Sequence, residues 1–345
     1  MRSTSETCGA SRSDPDRTVI PMPITFLDLS GMNRVVALAA TAGMPRSVHV
    51  FDDDSILAVN AALAAGRPLL VRGEPGTGKS QLARAAAQAL GRAFVHHAVD
   101  SRTETRDVLW TVDAVARLAE AQVMGALKDV GQDEVRRRID VAEFVQPGPL
   151  WWAFDWASAS EQAARSGVST PVAPEGWTAD RGVVVLVDEI DKADSAVPNG
   201  LLDALGHGRF DVPGREAVTL DRERPPLVVI TTNEDRALPD AFLRRCLVLH
   251  LALPREANEL LALLVARGRA HFPDCADSVL QRAARLVGED RAVMLRADLA
   301  PPGLAEYIDL LRAVQEQETE EAKQTALLEQ IARFALRKHP SEPAR

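Results

Sequence analysis

Cysteine is scarce in this chain, and what there is does not pair. The three cysteines among 345 residues, Cys8, Cys246 and Cys275, are odd in number and lack metal-ligand spacing. That argues against a disulfide framework and a zinc site, and it suits a reducing, cytoplasmic setting. Aromatics are few as well, 4% with a single tyrosine, so the core must be built from Ala, Val and Leu. No apolar run approaches the length of a membrane span, and the first twenty or so residues lack the apolar centre of a signal peptide. Met1 to Pro23, rich in Ser, Thr, Arg and Asp with Pro15, Pro21 and Pro23, reads as a disordered tail. Glu6, Asp14 and Asp16 speak against an organelle transit peptide. Positive charge is also in deficit. A formal net charge of −9 disfavours a protein whose main work is gripping a nucleic-acid backbone, although a local basic channel is compatible with it. What remains, 46% hydrophobic and 26% charged, is ordinary for a globular chain with room for one α/β domain and a smaller one.

Against these absences stands one dense motif, Gly73-Glu74-Pro75-Gly76-Thr77-Gly78-Lys79-Ser80, which fits GxxxxGK[ST]. Arg67 to Arg72 before it reads as a short buried strand with proline near its start. Gln81 to Leu90 after it reads as an alanine-rich helix stopped by Gly91. Strand, glycine loop and helix N-terminus make an anion site, because glycines let backbone N–H groups wrap a polyphosphate and the helix dipole adds about half a positive charge. Lys79 would supply a mobile cation for the outer phosphates, and Ser80 a hydroxyl for Mg2+.

A second signal lies far downstream. Gly182 to Asp191 is an apolar run ending in carboxylates, Val183-Val184-Val185-Leu186-Val187-Asp188-Glu189. An uninterrupted apolar strand is what a central parallel strand needs, since helices cover both of its faces. Its C-terminal end is where ligands bind in open α/β sheets. Asp188 is placed to hold Mg2+, and Glu189 to orient and deprotonate an attacking water.

Elsewhere, Asp52 to Gly66 reads as a capped helix, and Ala93 to Val99 as a strand. Adjacent His96 and His97 face opposite sides of that strand and read as packing or surface residues. Ser101 to Gln146 is expected to be a charged helical insertion, with Arg136-Arg137-Arg138 a solvated helix face. Trp151, Trp152 and Trp156 follow a Pro-Gly turn. They are either buried packing or an exposed contact surface. Ser158 to Asp180 reads as a loop. Pro198 to Leu205 reads as a helix, Arg209 to Leu220 as a hairpin around Pro213-Gly214, and Leu227 to Thr232 and Cys246 to Leu253 as strands. From Pro254 onward the pattern is helical, and the acidic run Glu316 to Glu321 looks like a solvated helix face.

Taken together, the phosphate loop, Leu186 to Ala193, Leu201 to Leu205, Arg209 to Gly214, Ile230 to Glu234 and Leu238 to Arg245 resemble the AAA+ ATPases, in particular the MoxR-like branch. The resemblance covers roughly Ser47 to Arg312. It implies an α/β fold with a parallel-sheet P-loop core followed by a small all-α lid: residues 1–45 as tail and lead-in, 46–253 as core with the insertion 101–146, and 254–345 as lid. It implies ATP and Mg2+ as cofactors, with Asn233 sensing the γ-phosphate. It also implies that Arg244 or Arg245 is an arginine finger reaching a neighbouring subunit's nucleotide in a ring, expected to be hexameric. In the lid, Arg296 is the nearby candidate for a nucleotide contact. The resemblance further implies remodelling of a separate protein client, possibly a von Willebrand A-domain protein, for which this chain shows no room in cis. Trp151, Trp152, Phe210 and Val212 are expected to face that client. The alternative is a motor subunit of a nucleic-acid-acting defence or restriction complex, possibly using GTP. Nucleic acid is the less favoured partner, and no membrane is expected.

Overall fold

In the computed structural model residues 24–29, 34–41, 44–127 and 130–336 are described, and the expected tail from Met1 to Pro23 lies outside them. A lead-in ribbon pairs β1 (Val35–Leu38) antiparallel with β2 (Ser47–Val50). Asp52 then caps α1 (Asp53–Ala65) by accepting the Ser55 amide at 2.7 Å, and Gly66 closes it in the left-handed conformation. β3 (Leu69–Arg72) enters the glycine loop, α2 (Lys79–Leu90) leaves it, and β4 (Ala93–Ala98) follows.

An excursion comes next: β5 (Trp110–Val112), α3 (Ala114–Ala126), α4 (Gln132–Arg138) and β6 (Val145–Pro147). β5 and β6 pair antiparallel, so the insertion is not purely helical as expected, but two helices standing on a short ribbon. Arg137 and Arg138 pair with Glu134 on α4, and Arg138 also with Glu120, as a solvated face should. α5 (Pro149–Phe154) and α6 (Trp156–Ser166) follow. The segment expected to be a loop from Ser158 is therefore helical as far as Ser166. Asp155 starts it by accepting the Ser158 amide at 3.0 Å, which a reading by polarity alone overlooks.

The chain returns to the core with β7 (Val183–Asp188), α7 (Ala196–His207), the hairpin β8 (Arg209–Phe210) and β9 (Val218–Thr219), β10 (Leu227–Thr232), α8 (Asp240–Leu243) and β11 (Leu247–His250). Four helices close it: α9 (Ala257–His271), α10 (Asp277–Arg296), α11 (Leu304–Gln315) and α12 (Glu321–Ala335).

The five core strands pair in parallel in the order β11-β3-β10-β7-β4. Their alternation feeds two cores. Leu69, Val71, Val184 and Leu186 pack under α1 and α2, while Leu70, Val183, Val185 and Val187 pack under α5, α6 and α7. That is why the strands read as continuous apolar runs.

The second of these cores takes the residues expected to face a client. Trp151 is 1% exposed, Trp152 4%, Phe210 7% and Val212 5%. Trp151 donates its indole N–H to Ser158 Oγ at 2.8 Å, and Phe210 lies between Trp151 and Phe154 with centroids at 6.5 and 5.5 Å. The client-surface expectation is overturned: these aromatics are core. Of the large apolar side chains left exposed, Val115, Leu118, Val123 and Leu127 fall together on and just after α3, while others such as Leu57, Val172 and Phe334 are scattered.

The lid has its own core around Tyr307, the chain's one tyrosine, whose hydroxyl donates to the Leu280 carbonyl at 3.2 Å. The acidic run is not a helix face. It spans the break between α11 and α12, where Glu318 accepts the amides of Thr319 and Glu320. Among the described residues no helix is long and apolar enough to cross a membrane.

Candidate active site

Between β3 and α2 the glycine loop is shaped by two close approaches. Gly73 has φ 150°, and a Cβ there would lie 2.2 Å from the Leu251 carbonyl oxygen. Gly76 has φ 77°, and a Cβ there would come 2.7 Å from Ala305 of the lid. No other residue fits either place. α2 starts after Gly78 with no side-chain cap, so its first-turn amides and dipole remain available to an anion. Lys79 Nζ donates to the carbonyls of Gly73 and Glu74 at 2.8 and 2.9 Å, and Thr77 Oγ1 donates to Glu74 at 2.9 Å. Burial lowers the Lys79 pKa, and the carboxylates led by Asp188 work against that.

Ser80, opening α2, donates to Asp188 Oδ1 at 2.8 Å, and Thr231 on β10 donates to the same oxygen at 2.5 Å. His96 Nε2 stands 3.5 Å from Asp188 Oδ2. Burial pushes the Asp188 pKa up, but its contacts with His96, Thr231 and Ser80 outweigh that and hold the carboxyl below its ordinary value. The group is thus an anion with two oxygen-bearing neighbours. An all-oxygen pair, Ser80 and Asp188, fits Mg2+, which keeps most of its waters and takes few protein ligands. Among the described residues no cluster of three His, Cys, Asp or Glu side chains offers a different metal site.

Glu189 leaves the strand in the left-handed conformation, φ 59°, with its amide donating to Thr231 Oγ1 at 2.8 Å. For a non-glycine residue that backbone costs about 1 kcal/mol or more and is typical of functional sites. Here it re-aims the side chain, so that Asp188 and Glu189, which strict alternation would separate, both line one pocket. The Glu189 carboxylate accepts from Asn233 Nδ2 at 3.1 Å and pairs with Lys192.

The pocket, about 350 Å³, is closed on its far side by the lead-in at Arg46 and Ser47 and by the lid at His271, Ile308, Asp309 and Arg312. Arg296, the lid candidate read from the sequence, is exposed at the end of α10 and does not line it. Arg312 does, just over two helical turns into α11, and nothing local in the sequence distinguishes it from any surface arginine. Burial, then the nearby Arg312 and Arg267, press the His271 pKa down to about 4.

Arg244 and Arg245 are both exposed and neither lines this pocket. Their position is nonetheless fixed. Phe242 beside them is fully buried, and the Arg67 guanidinium donates to both of their carbonyls. Neither has an ion pair with a described carboxylate.

The structure therefore brings together Gly73 to Ser80, Asp188, Glu189 and Asn233, and holds Arg244 and Arg245 apart from them. His96 was missed. Its expected role was packing or surface, and only the pairing of β4 with β7, which sets Ala98 beside Asp188, reveals it as a neighbour of the acid.

A parallel α/β sheet with a glycine loop at the C-terminal end of one strand and paired acids at the end of another defines a P-loop nucleoside triphosphatase. Residues 68–267 match the AAA domain of the dynein-related subfamily. The chain belongs to that family and is an ATP-hydrolysing enzyme of the P-loop class. Among solved structures it is similar to a candidate ATPase from Cytophaga hutchinsonii, at 16% identity, covering 82% of this chain and 79% of that one with a TM-score of 0.36. So low a score adds nothing to the family match. No curated protein matches the chain.

Proposed function

We propose that the chain hydrolyses ATP with Mg2+ at the interfaces of a ring of its own copies, expected to be hexameric, and uses the cycle to remodel a separate protein partner in the manner of MoxR-like proteins. The observation that carries the hydrolytic part is the convergence of Ser80, Asp188, Glu189 and Asn233 at the mouth of the phosphate loop. Loop amides and Lys79 gather the β- and γ-phosphates. Ser80 and Asp188 would hold Mg2+, which when bound would neutralise charge on the phosphate oxygens. Glu189 takes the proton of the attacking water, and Asn233 keeps that carboxylate turned toward the γ-phosphate. Lys192 must release Glu189 for this to occur. Phosphoryl transfer to water then leaves ADP and phosphate.

The assembly part follows from Arg244 and Arg245. Rigidly placed, exposed and remote from the chain's own pocket, they suit delivery to a neighbour's, where a guanidinium steadies charge on the γ-phosphate. Such a contact is head-to-tail, which closes into a ring. Mixing Arg244→Ala/Arg245→Ala subunits with Lys79→Ala subunits tests it, because each supplies what the other lacks. Partial recovery of turnover is the expected result. No recovery, with a fully active monomer by light scattering in ATP, would contradict it. For the partner, a Glu189→Gln protein loaded with ATP should retain a client in pull-downs. Nucleic acid in the bound fraction would favour the defence or restriction reading, against which the net charge of −9 weighs.

A further inference from the structure

An ion pair ties the lid to the phosphate loop. Arg291 on α10 has a side chain only 7% exposed, and its Nη2 lies 2.9 Å from Glu74 Oε1 and 2.8 Å from Oε2. Its Nη1 donates to the Pro302 carbonyl at 3.1 Å, at the entry to α11. The next residue, Gly303, donates its amide to Glu306 at 2.9 Å and starts the helix. Ala305 then abuts Gly76 of the loop, and Ile308, Asp309 and Arg312 further along α11 wall the nucleotide pocket. On the loop side, the Glu74 carbonyl carries Lys79 Nζ and Thr77 Oγ1. One guanidinium therefore holds both the lid segment that closes the pocket and the loop residue on which the phosphate-binding lysine rests. Behind the pair lies a cleft of about 790 Å³, walled by Leu253, Leu260, Leu261 and Leu295, with Glu289 and Arg285 also on its lining. A buried guanidinium left without its partner is costly, so lid and loop are held to one relative position.

We propose that Arg291 is a positioning residue that makes lid placement and nucleotide binding interdependent, through Glu74 on one side and Pro302 on the other. The inference rests on the nucleotide-binding reading of the loop. By linkage it runs both ways: a lid set by Arg291 tightens the loop around nucleotide, and nucleotide in the loop orders the lid.

The test uses Arg291→Met, which keeps most of the packing and removes the charge. The KM for ATP should rise about tenfold, the scale of losing a charge-assisted contact, while kcat stays within about twofold of the parent. Hydrogen exchange gives the second readout. In the parent, saturating ADP should protect both residues 73–80 and residues 300–306; in Arg291→Met it should protect only 73–80. Glu74→Gln should raise KM equally, and the double variant no further, because the two residues act as a unit. Arg291→Lys, which keeps the charge and loses the fork, should fall between parent and Arg291→Met, and it serves if the methionine variant does not fold. A parental KM in the substituted proteins, or ADP protection of 300–306 persisting in Arg291→Met, overturns the proposal. Absence of protection at 73–80 in the parent would instead remove the nucleotide reading on which it stands.

Discussion

The phosphate-loop end of the sheet and the tryptophan-rich segment pack on the same five strands, yet they yield differently to reading. At the loop the constraint is local. Gly73 and Gly76 are required by positive φ angles of 150° and 77°, and Lys79 and Ser80 follow at fixed spacing because they open the same helix. At Trp151 and Trp152 the sequence says only that the side chains are large and apolar. Whether they are covered depends on Phe210 and β7, which the chain supplies much later. Spacing encodes chemistry; burial is a tertiary outcome.

The sharpest way to break that contrast is to substitute on each side of it. Lys79→Ala should weaken nucleotide binding at least about a hundredfold by calorimetry, since the cation that gathers the outer phosphates is gone. The melting temperature without nucleotide should scarcely change. Trp151→Ala should do the reverse, costing about 3–5 kcal/mol and lowering the melting temperature by roughly 10 °C, while ATP turnover well below the new midpoint persists. A Trp151→Ala protein that melts like the parent would return that residue to the surface and erase the difference.

A smaller effect concerns the junction of lead-in and lid. His49 on β2 packs edge-on to Phe51 with ring centroids 4.7 Å apart. Burial, then Arg267, lowers its pKa to about 3, and His271 on α9 sits at about 4. Both are neutral in the folded protein, whereas the unfolded chain takes up protons below about pH 6.5. Their stability contribution is therefore complete above pH 6.5 and is lost as pH falls toward the folded values, by at most about 1.4 kcal/mol per histidine for each pH unit. Thermal melts should be flat from pH 8 to 7 and fall below 6.5, and His49→Phe should flatten part of that fall. A melting temperature independent of pH down to 5 would show that neither histidine is held neutral.

The same division explains what was legible. The five parallel strands, the loop, the paired acids and the helical lid were all visible as runs, spacings and caps. The polar stretch after Ser158 carries no apolar period, and only the Asp155 cap reveals that it continues α6. The β5–β6 ribbon was hidden because strands of three residues leave no period to detect. His96, Arg291 and Arg312 came to the site through strand pairing and lid docking, and arginine on a helix is otherwise unremarkable. The turn at Glu189 was hidden too. Alternation by itself sets adjacent strand residues on opposite faces, and the φ of 59° at Glu189 turns both acids to one pocket.

That pocket is the central claim, and Glu189→Gln tests it most directly. ATP binding and steady-state turnover are measured on the same preparation, with a melt to confirm folding. Nucleotide affinity should stay near the parent's while turnover falls about a hundredfold or more, the loss expected when a general base is removed. Turnover at the parent rate would contradict the account, because the water would then be activated by something other than the carboxylate that Asn233 and the left-handed turn hold at the mouth of the loop.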